Sequence, residues 1–376
     1  MWDMLEKQYD TLDLKGNILT QGESIRRTLR FEARKVEEAA MKLKECSNII
    51  LTGAGDKYII PHISRMVWRS LSKKPIEVYH SRVLLENNIQ MGEDAAVIFL
   101  SQSGLTHDTI YAYKKIRSQV KLTIWVTNLK ENLANSIYGL KNDSCLILNT
   151  HTVHYPEKPI ISTSTFQTSL SLLNDLLLTT LSSKEASELK ATQIEKLPPL
   201  VDALACSKKV TEWAKKTAED LIPQRQQTFY VMGDGIRYFI AVKQALIMFM
   251  EGCKQDASPI RTEEFLHSLI ETLEPENPVK KPLLMLKPHR SFASERLLKM
   301  TNFVSTSWKR YAGKAKIITI SPYDLIEIDL EGAAADLLSP SLYIVPLMWL
   351  TYYYALRQGI DPGVSKLVNK VRKKII

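Results

Sequence analysis

One ten-residue pattern occurs twice in this chain, 180 residues apart (Gly53 to Gly233). Ile49-Ile50-Leu51-Thr52-Gly53-Ala54-Gly55-Asp56-Lys57-Tyr58 lines up with Phe229-Tyr230-Val231-Met232-Gly233-Asp234-Gly235-Ile236-Arg237-Tyr238. Each copy reads as an apolar strand, a GxG turn, then a basic residue and a tyrosine that open a helix. Two copies of one α/β domain is the economical explanation. A chain of 376 residues also exceeds what one core usually holds. GxG after a strand invites a dinucleotide reading, but Tyr58 and Tyr238 stand where GxGxxG needs its third glycine. Gly55 and its neighbours are better read as letting backbone approach a ligand or the adjacent helix.

Around both copies, strands and helices alternate. In the first half, strands are expected at 48–52, 76–80, 95–100, 122–127 and 145–149, with helices at 63–71, 107–116 and 164–181. After a charged stretch ending in Pro198-Pro199 the pattern restarts. It runs through a helix at 210–221, a strand at 228–232 and a helix at 241–251. Strands at 283–286 and 317–320 follow, and a long apolar helix over 342–356 closes it. Residues 1–45 look helical, with Ile25, Leu29, Phe31, Val36, Ala39 and Leu43 as the apolar face. The expected organisation is an N-terminal helical segment (1–45), a first domain (46–183), a linker (184–205) and a second domain with its tail (206–376). The fold class is α/β: two tandem doubly wound parallel-sheet domains.

The most informative stretch is Ala95–Thr109. Its apolar run, Ala95 to Leu100, is the kind a parallel strand covered on both faces requires. Ser101-Gln102-Ser103-Gly104 follows where that strand ends, and Thr106 is placed to cap the next helix, with Asp108 in its first turn. A hydroxyl-rich loop between a strand and a capped helix points N–H and O–H groups at an anion, and a phosphate suits it.

Composition narrows the classes. Cys46, Cys145, Cys206 and Cys253 are scattered without metal-ligand spacing, which fits a reducing, cytoplasmic setting. Met1 to Lys15 is polar and lacks a signal-like apolar core. Ser341 to Leu356 is shorter than the ~20 residues of a bilayer span and contains Pro346, so a buried or interface helix is expected and no membrane partner. The net charge of +9 is dispersed apart from Lys366 to Lys374. It suits an anionic small substrate, and no nucleic acid is expected. His151-Thr152-Val153-His154 has no evident carboxylate or cysteine partner, so neither a metal nor another cofactor is expected.

Two tandem α/β domains with Ser101-Gln102-Ser103-Gly104-Leu105-Thr106 in the first resemble the sugar isomerase (SIS) family. The likeness is to its double-domain branch: the isomerase half of glucosamine-6-phosphate synthase, amino-sugar-phosphate deaminases and fructosamine-6-phosphate deglycases. It runs from about Asn48 to Lys370. The SQSGxT phosphate motif is intact, and Ile161-Ser162-Thr163-Ser164-Thr165-Phe166 resembles the family's second phosphate loop. Glu251 and His267 keep the family's spacing, with Glu264 three residues before the histidine, and the family's C-terminal lysine falls at Lys370.

Read from the residues alone, Glu251 could equally be a helix-end surface charge, His267 a structural histidine and Lys370 a solvated tail charge. The resemblance implies more. Ser101, Gln102, Ser103, Thr106 and Ser162 would hold a sugar phosphate, with Gly55 and Thr163 also lining the substrate. Glu251 would move a proton between C1 and C2 of the open-chain sugar. His267 would help open the ring, from a neighbouring subunit in this family, so a homodimer with a shared site is expected. Residues 342–354 offer an apolar, aromatic surface for it. Lys370 would sit at the sugar carbonyl. The chain also departs from the family: Met248 replaces a lysine, His267-Ser268-Leu269 replaces H-G-P, Asp56-Lys57 replaces Thr-Ser, and Leu105 replaces a common glutamate. With Trp2 after Met1 and no glutaminase domain ahead, glutamine-dependent synthesis is not expected. The resemblance therefore implies an amino-sugar-phosphate deaminase/isomerase acting on glucosamine 6-phosphate, alternatively a fructosamine-6-phosphate deglycase or a non-catalytic sugar-phosphate sensor.

Overall fold

A computed structural model describes residues 1–130, 145–274, 276–277 and 281–367. The chain divides into two compact units. One comprises Thr20–Glu157 and Ser164–Pro199; the other comprises Met1–Leu19, Lys158–Thr163 and the chain from Leu200 onward. Each is built on its own parallel sheet, of five and four strands respectively. Two short helices, α1 (Trp2–Tyr9) and α2 (Leu14–Leu19), open the chain as part of the four-stranded unit.

The five-stranded unit follows with α3 (Gln21–Lys44), β1 (Ile49–Gly53), α4 (Asp56–Leu71), β2 (Ile76–His80), α5 (Ser81–Glu86) and β3 (Ala96–Ser101). It continues through α6 (His107–Ile116), β4 (Leu122–Thr127), β5 (Cys145–Asn149) and α7 (Ser164–Thr180). The strand order is β2-β1-β3-β4-β5, all parallel, with Leu51 opposite Ile98 and Ile98 opposite Ile124. Every residue of β1, β3 and β4 is buried, because helices cover both faces of the sheet. The order reverses between β1 and β3, so loops leave the C-terminal ends of these neighbours towards opposite faces and open a crevice.

In α3 the buried stripe runs Ile25, Leu29, Glu32, Val36, Ala39/Ala40 and Leu43, at alternating spacings of four and three. Phe31 falls off that stripe and is exposed, contrary to its expected place on the apolar face.

Helix α8 (Lys184–Cys206) runs through Pro198 and Pro199, and the division between the units falls at Pro199 inside it. The expected linker is thus part of a continuous helix. The four-stranded unit goes on with α9 (Lys208–Leu221), β6 (Phe229–Met232), α10 (Tyr238–Val242), a π-helix (Lys243–Gly252) and β7 (Ala257–Ile260). Then come α11 (Thr262–His267), β8 (Leu283–Leu286), α12 (Glu295–Tyr311), β9 (Ile317–Ile320) and α13 (Gly332–Arg357). The order β7-β6-β8-β9 repeats that of β2-β1-β3-β4. Strand β7 escapes sequence reading because it contains Pro259, which lacks an N–H and is tolerated here on the sheet edge.

Helix α13 is longer than expected, and at 26 residues it is long and apolar enough to cross a membrane by length and composition, yet 83% of its most apolar window is buried in the protein. Its polar atoms are used internally. Trp349 Nε1 donates to the Ala205 carbonyl (3.1 Å), Tyr354 Oη to Gln255 (2.8 Å) and Tyr352 Oη to Asp10 (3.2 Å). The aromatic surface expected over 342–354 is therefore core of this unit, not a face left for a second copy.

The repeated glycines have a steric reason. A Cβ on Gly53 would lie 2.2 Å from the Lys57 carbonyl oxygen, and one on Gly233 2.8 Å from that of Arg237. Gly55 and Gly235 have φ of 58° and 55°. Urea unfolding should therefore show Gly53→Ala costing about 3 kcal/mol through overpacking, against ~1 kcal/mol for Gly55→Ala, which meets only an unfavourable φ. Equal costs would contradict the close-approach account.

Candidate functional site

Strand β3 delivers Ser101, buried, to the reversal point of the five-stranded sheet. Gln102 is half-buried and Ser103 exposed beside it. Ser101 Oγ and Thr106 Oγ1 are 3.1 Å apart and hydrogen-bonded. Thr106 occupies the N-cap position of α6, but its side chain makes no capping bond, since its hydroxyl turns to Ser101 instead. Ser103 Oγ accepts the Leu105 amide (3.1 Å), and the Gln102 carbonyl accepts the Asn128 amide (3.0 Å). Beneath the loop, Thr52, Ser81 and Thr109 form a buried hydroxyl chain with links of 3.2 and 3.0 Å. Gly55, exposed, turns the neighbouring loop after β1. The arrangement gathers three hydroxyls above β3 and the N-terminal amides of α6, a donor set suited to an anion.

Lys57 stands where the resemblance has a hydroxyl. It is buried and reaches into α7, donating to the Thr165 carbonyl (2.8 Å) and Ser169 Oγ (2.9 Å). Tyr58 packs edge-on against His62 (4.7 Å) and His80 (5.2 Å). Burial, with Arg65 nearby, pushes His62 down to about 4. His151 pairs with Glu32 (2.8 Å) beside a cleft of ≈ 410 Å³ at the ends of β4 and β5, bordered also by Arg27, Asn128 and Lys130.

Glu157 was not singled out from the sequence. Its carboxylate accepts the amides of Ser164 (3.0 Å) and Thr165 (2.9 Å) and the Thr165 hydroxyl. The N-terminus of α7 is thus already occupied by a charge of the protein's own. No local signal could have revealed this, since irregular chain containing Pro159 separates Glu157 from the helix it caps.

The remaining candidates belong to the four-stranded unit. Ser162 and Thr163 are both buried, and the Ser162 carbonyl accepts Lys243 Nζ at 3.0 Å. Glu251, half-buried, lies next to last in the π-helix, and Lys254 Nζ donates to its backbone carbonyl. Met248, three residues earlier, is buried. His267 is the exposed last residue of α11. Asp234, from the repeated GxG turn, anchors that helix by accepting the Thr262 amide (3.0 Å) and hydroxyl. Glu264 is engaged with Arg261, through its guanidinium (2.8 Å) and amide (3.1 Å), and so shapes the helix start. Lys370 lies outside the described residues.

Two measurements test this geometry. Glu157→Ala leaves buried amides of α7 without an acceptor and should lower unfolding free energy by about 2 kcal/mol, with Glu157→Gln in between, as read from denaturant melts. For His62, the unfolded state titrates near 6.5 and the folded state near 4, so the unfolded state takes up the proton first. Acidification from about pH 6.5 to 4 should therefore destabilise the protein, and His62→Gln should flatten that slope.

Residues 42–179 match the SIS domain family. Along nearly its whole length the chain is similar to the isomerizing glutamine–fructose-6-phosphate aminotransferase of Thermococcus kodakarensis. The two are 26% identical over 380 residues, covering 98% of this chain and 59% of that protein. Among solved structures, the C-terminal domain of glucosamine-fructose-6-phosphate aminotransferase from Francisella tularensis gives a TM-score of 0.73 at 17% identity, covering 96% of this chain and 99% of that one. Glucosamine-6-phosphate deaminase from Thermotoga maritima gives 0.66 at 15% identity, covering 93% and 96%. The chain spans between half and three fifths of the length of the aminotransferases it matches, and the structural likenesses speak to fold. The doubly wound α/β architecture and the hydroxyl loop after β3 agree with the match over 42–179: the chain carries a SIS domain there.

Proposed function

We propose that this chain is an enzyme acting on a phosphorylated amino sugar, a deaminase/isomerase that converts glucosamine 6-phosphate to fructose 6-phosphate and ammonia. The observation that carries the reading is the hydroxyl cluster of Ser101, Ser103 and Thr106 at the strand-order reversal, where open α/β sheets take their ligands. These residues, with Gln102 and Ser162, bind the phosphate. Gly55 and Thr163 complete the lining. The names of the relatives, aminotransferases that isomerise and a deaminase, support the substrate class.

Glu251 is the base. It removes the proton from C2 of the open-chain sugar and returns it to C1, converting the 2-amino aldose into a C2 imine. Water adds to C2 and ammonia leaves, so the ketose phosphate forms without any redox change. His267, exposed at the end of α11, is assigned to ring opening, acting from a second copy in a homodimer, since one imidazole can both donate and accept a proton. Lys370 is assigned to the carbonyl. A fructosamine 6-phosphate carries its nitrogen on C1 and its carbonyl at C2, so there the same base moves the proton from C1 to C2, and water added to the resulting C1 imine releases the amine and glucose 6-phosphate.

The test is turnover of both phosphosugars, followed by coupled detection of fructose 6-phosphate or glucose 6-phosphate. Ser101→Ala should raise KM about tenfold or more, as expected for losing a hydrogen bond to a charged group. Glu251→Gln should lower kcat by about 10²–10⁴. Turnover unchanged by Glu251→Gln would refute the assigned base. Phosphosugar binding with no turnover by the wild-type protein would assign a sensor instead, a reading that Met248 and the altered H-G-P stretch favour.

A further inference from the structure

Among the described residues two lysines are buried, Lys57 at 4% exposure and Lys243 at 0%. Removing an ammonium from water costs several kcal/mol unless its N–H groups are taken up, so each needs a reason to be there. Each ends on acceptors of its own unit. Lys57 donates to the Thr165 carbonyl and Ser169 Oγ, and Lys243 donates to the Ser162 carbonyl at 3.0 Å. Ser162 lies in the stretch Lys158–Thr163, which belongs to the same unit as Lys243.

Lys243 is the first residue of the π-helix that carries Glu251. The other end of the same helix also meets this stretch: a Cβ on Gly252 would stand 3.3 Å from Ile161 Cδ1 and 3.3 Å from Thr351 Cγ2. One helix thus holds Ile161 and Ser162 at two points, by a charged donor at its start and by a missing side chain at its end. π-helical turns widen a helix and recur at functional sites. Here the wide turn places the lysine and the carboxylate on one element, eight residues apart.

We infer that Lys243 is a positioning residue. Its bond to the Ser162 carbonyl fixes the Ser162 hydroxyl and Thr163 relative to Glu251, without Lys243 itself touching substrate. The inference rests on the phosphosugar reading above and adds to it a residue that the sequence pattern did not mark, since a lysine inside an apolar helix reads as a solvated charge.

The experiment measures binding of fructose 6-phosphate by titration calorimetry, which needs no turnover, on the full chain and on Lys243→Met, Lys243→Arg, Gly252→Ala and Ser101→Ala. Lys243→Met should weaken binding about tenfold, and in the turnover assay raise KM by a similar factor with kcat within about twofold. Lys243→Arg, which keeps charge and donors, should stay within about threefold of wild type. Folded Lys243→Met with wild-type affinity, while Ser101→Ala loses binding, overturns this inference and leaves the phosphosugar reading standing. Wild-type affinity in Ser101→Ala overturns that reading and this one with it. Should Lys243→Met not fold, Gly252→Ala probes the same contact from its other end. Weakened binding supports the assignment, and wild-type affinity in folded Gly252→Ala overturns it.

Discussion

At the ends of β1 and β6 the chain passes into a helical turn so close to the strand that backbone touches backbone. Gly53 and Gly233 are those places, each with a helix carbonyl where a Cβ would stand. The contact seats α4 in one unit and the Gly235–Val242 turns in the other tightly over the strand ends. It thereby fixes where β1 and β6 stop relative to their neighbours β3 and β8. With the ends aligned, the loops that leave them share one edge of each sheet, and the strand-order reversal makes a crevice of that edge.

What stands in that crevice is settled by the need to satisfy buried polar groups. Thr52, Ser81 and Thr109 form a fully buried hydroxyl chain, and Ser101 bonds Thr106 at the end of β3. Each link adds only about 1 kcal/mol net, but a hydroxyl left without a partner there would cost more than a made bond gains. The loop therefore has few alternative arrangements, and the donors an incoming anion would meet are held before it arrives. Glu157 does the same for α7. By supplying the carboxylate at that helix start it removes a competing anion site and orders the chain leading out of Ser162 and Thr163.

Much of this was legible in the residues. Short runs rich in β-branched, aromatic and aliphatic residues identified β2, β4, β5, β8 and β9 to the residue, and in β4 and β8 every residue is buried. The Ser101–Thr106 loop was legible because three hydroxyls and a glycine are more than a simple turn requires. The rest depends on partners distant in sequence. β7 contains Pro259, acceptable only because that strand lies on an edge. The π-helix has the same apolar pattern as an α-helix. Lys57 and Lys243 look like surface charges until the oxygens that accept their N–H groups are brought to them from beyond residue 160. Residues 342–354 look like an interface until Asp10, Ala205 and Gln255 are seen to claim the polar atoms.

The two copies also differ in the side chains that one scaffold places at its strand-order reversal. After β3 the chain supplies small hydroxyls and glycine. After β8 it supplies Lys287-Pro288-His289-Arg290-Ser291-Phe292. There His289 stacks on Tyr323 with ring centroids 4.0 Å apart, and Phe292 lies under the Arg237 guanidinium at 3.9 Å. Arg237, the repeat partner of Lys57, turns to Asp336 (2.6 Å) and Ser339 (3.1 Å) on α13. Aromatic rings and a paired guanidinium fill the second reversal point with the protein's own side chains. The same topology therefore leaves the β1–β3 crevice lined by hydroxyl donors and the β6–β8 crevice lined by half-buried aromatic rings and a paired guanidinium. That difference follows from side-chain size and pairing, with no change in the order of the strands.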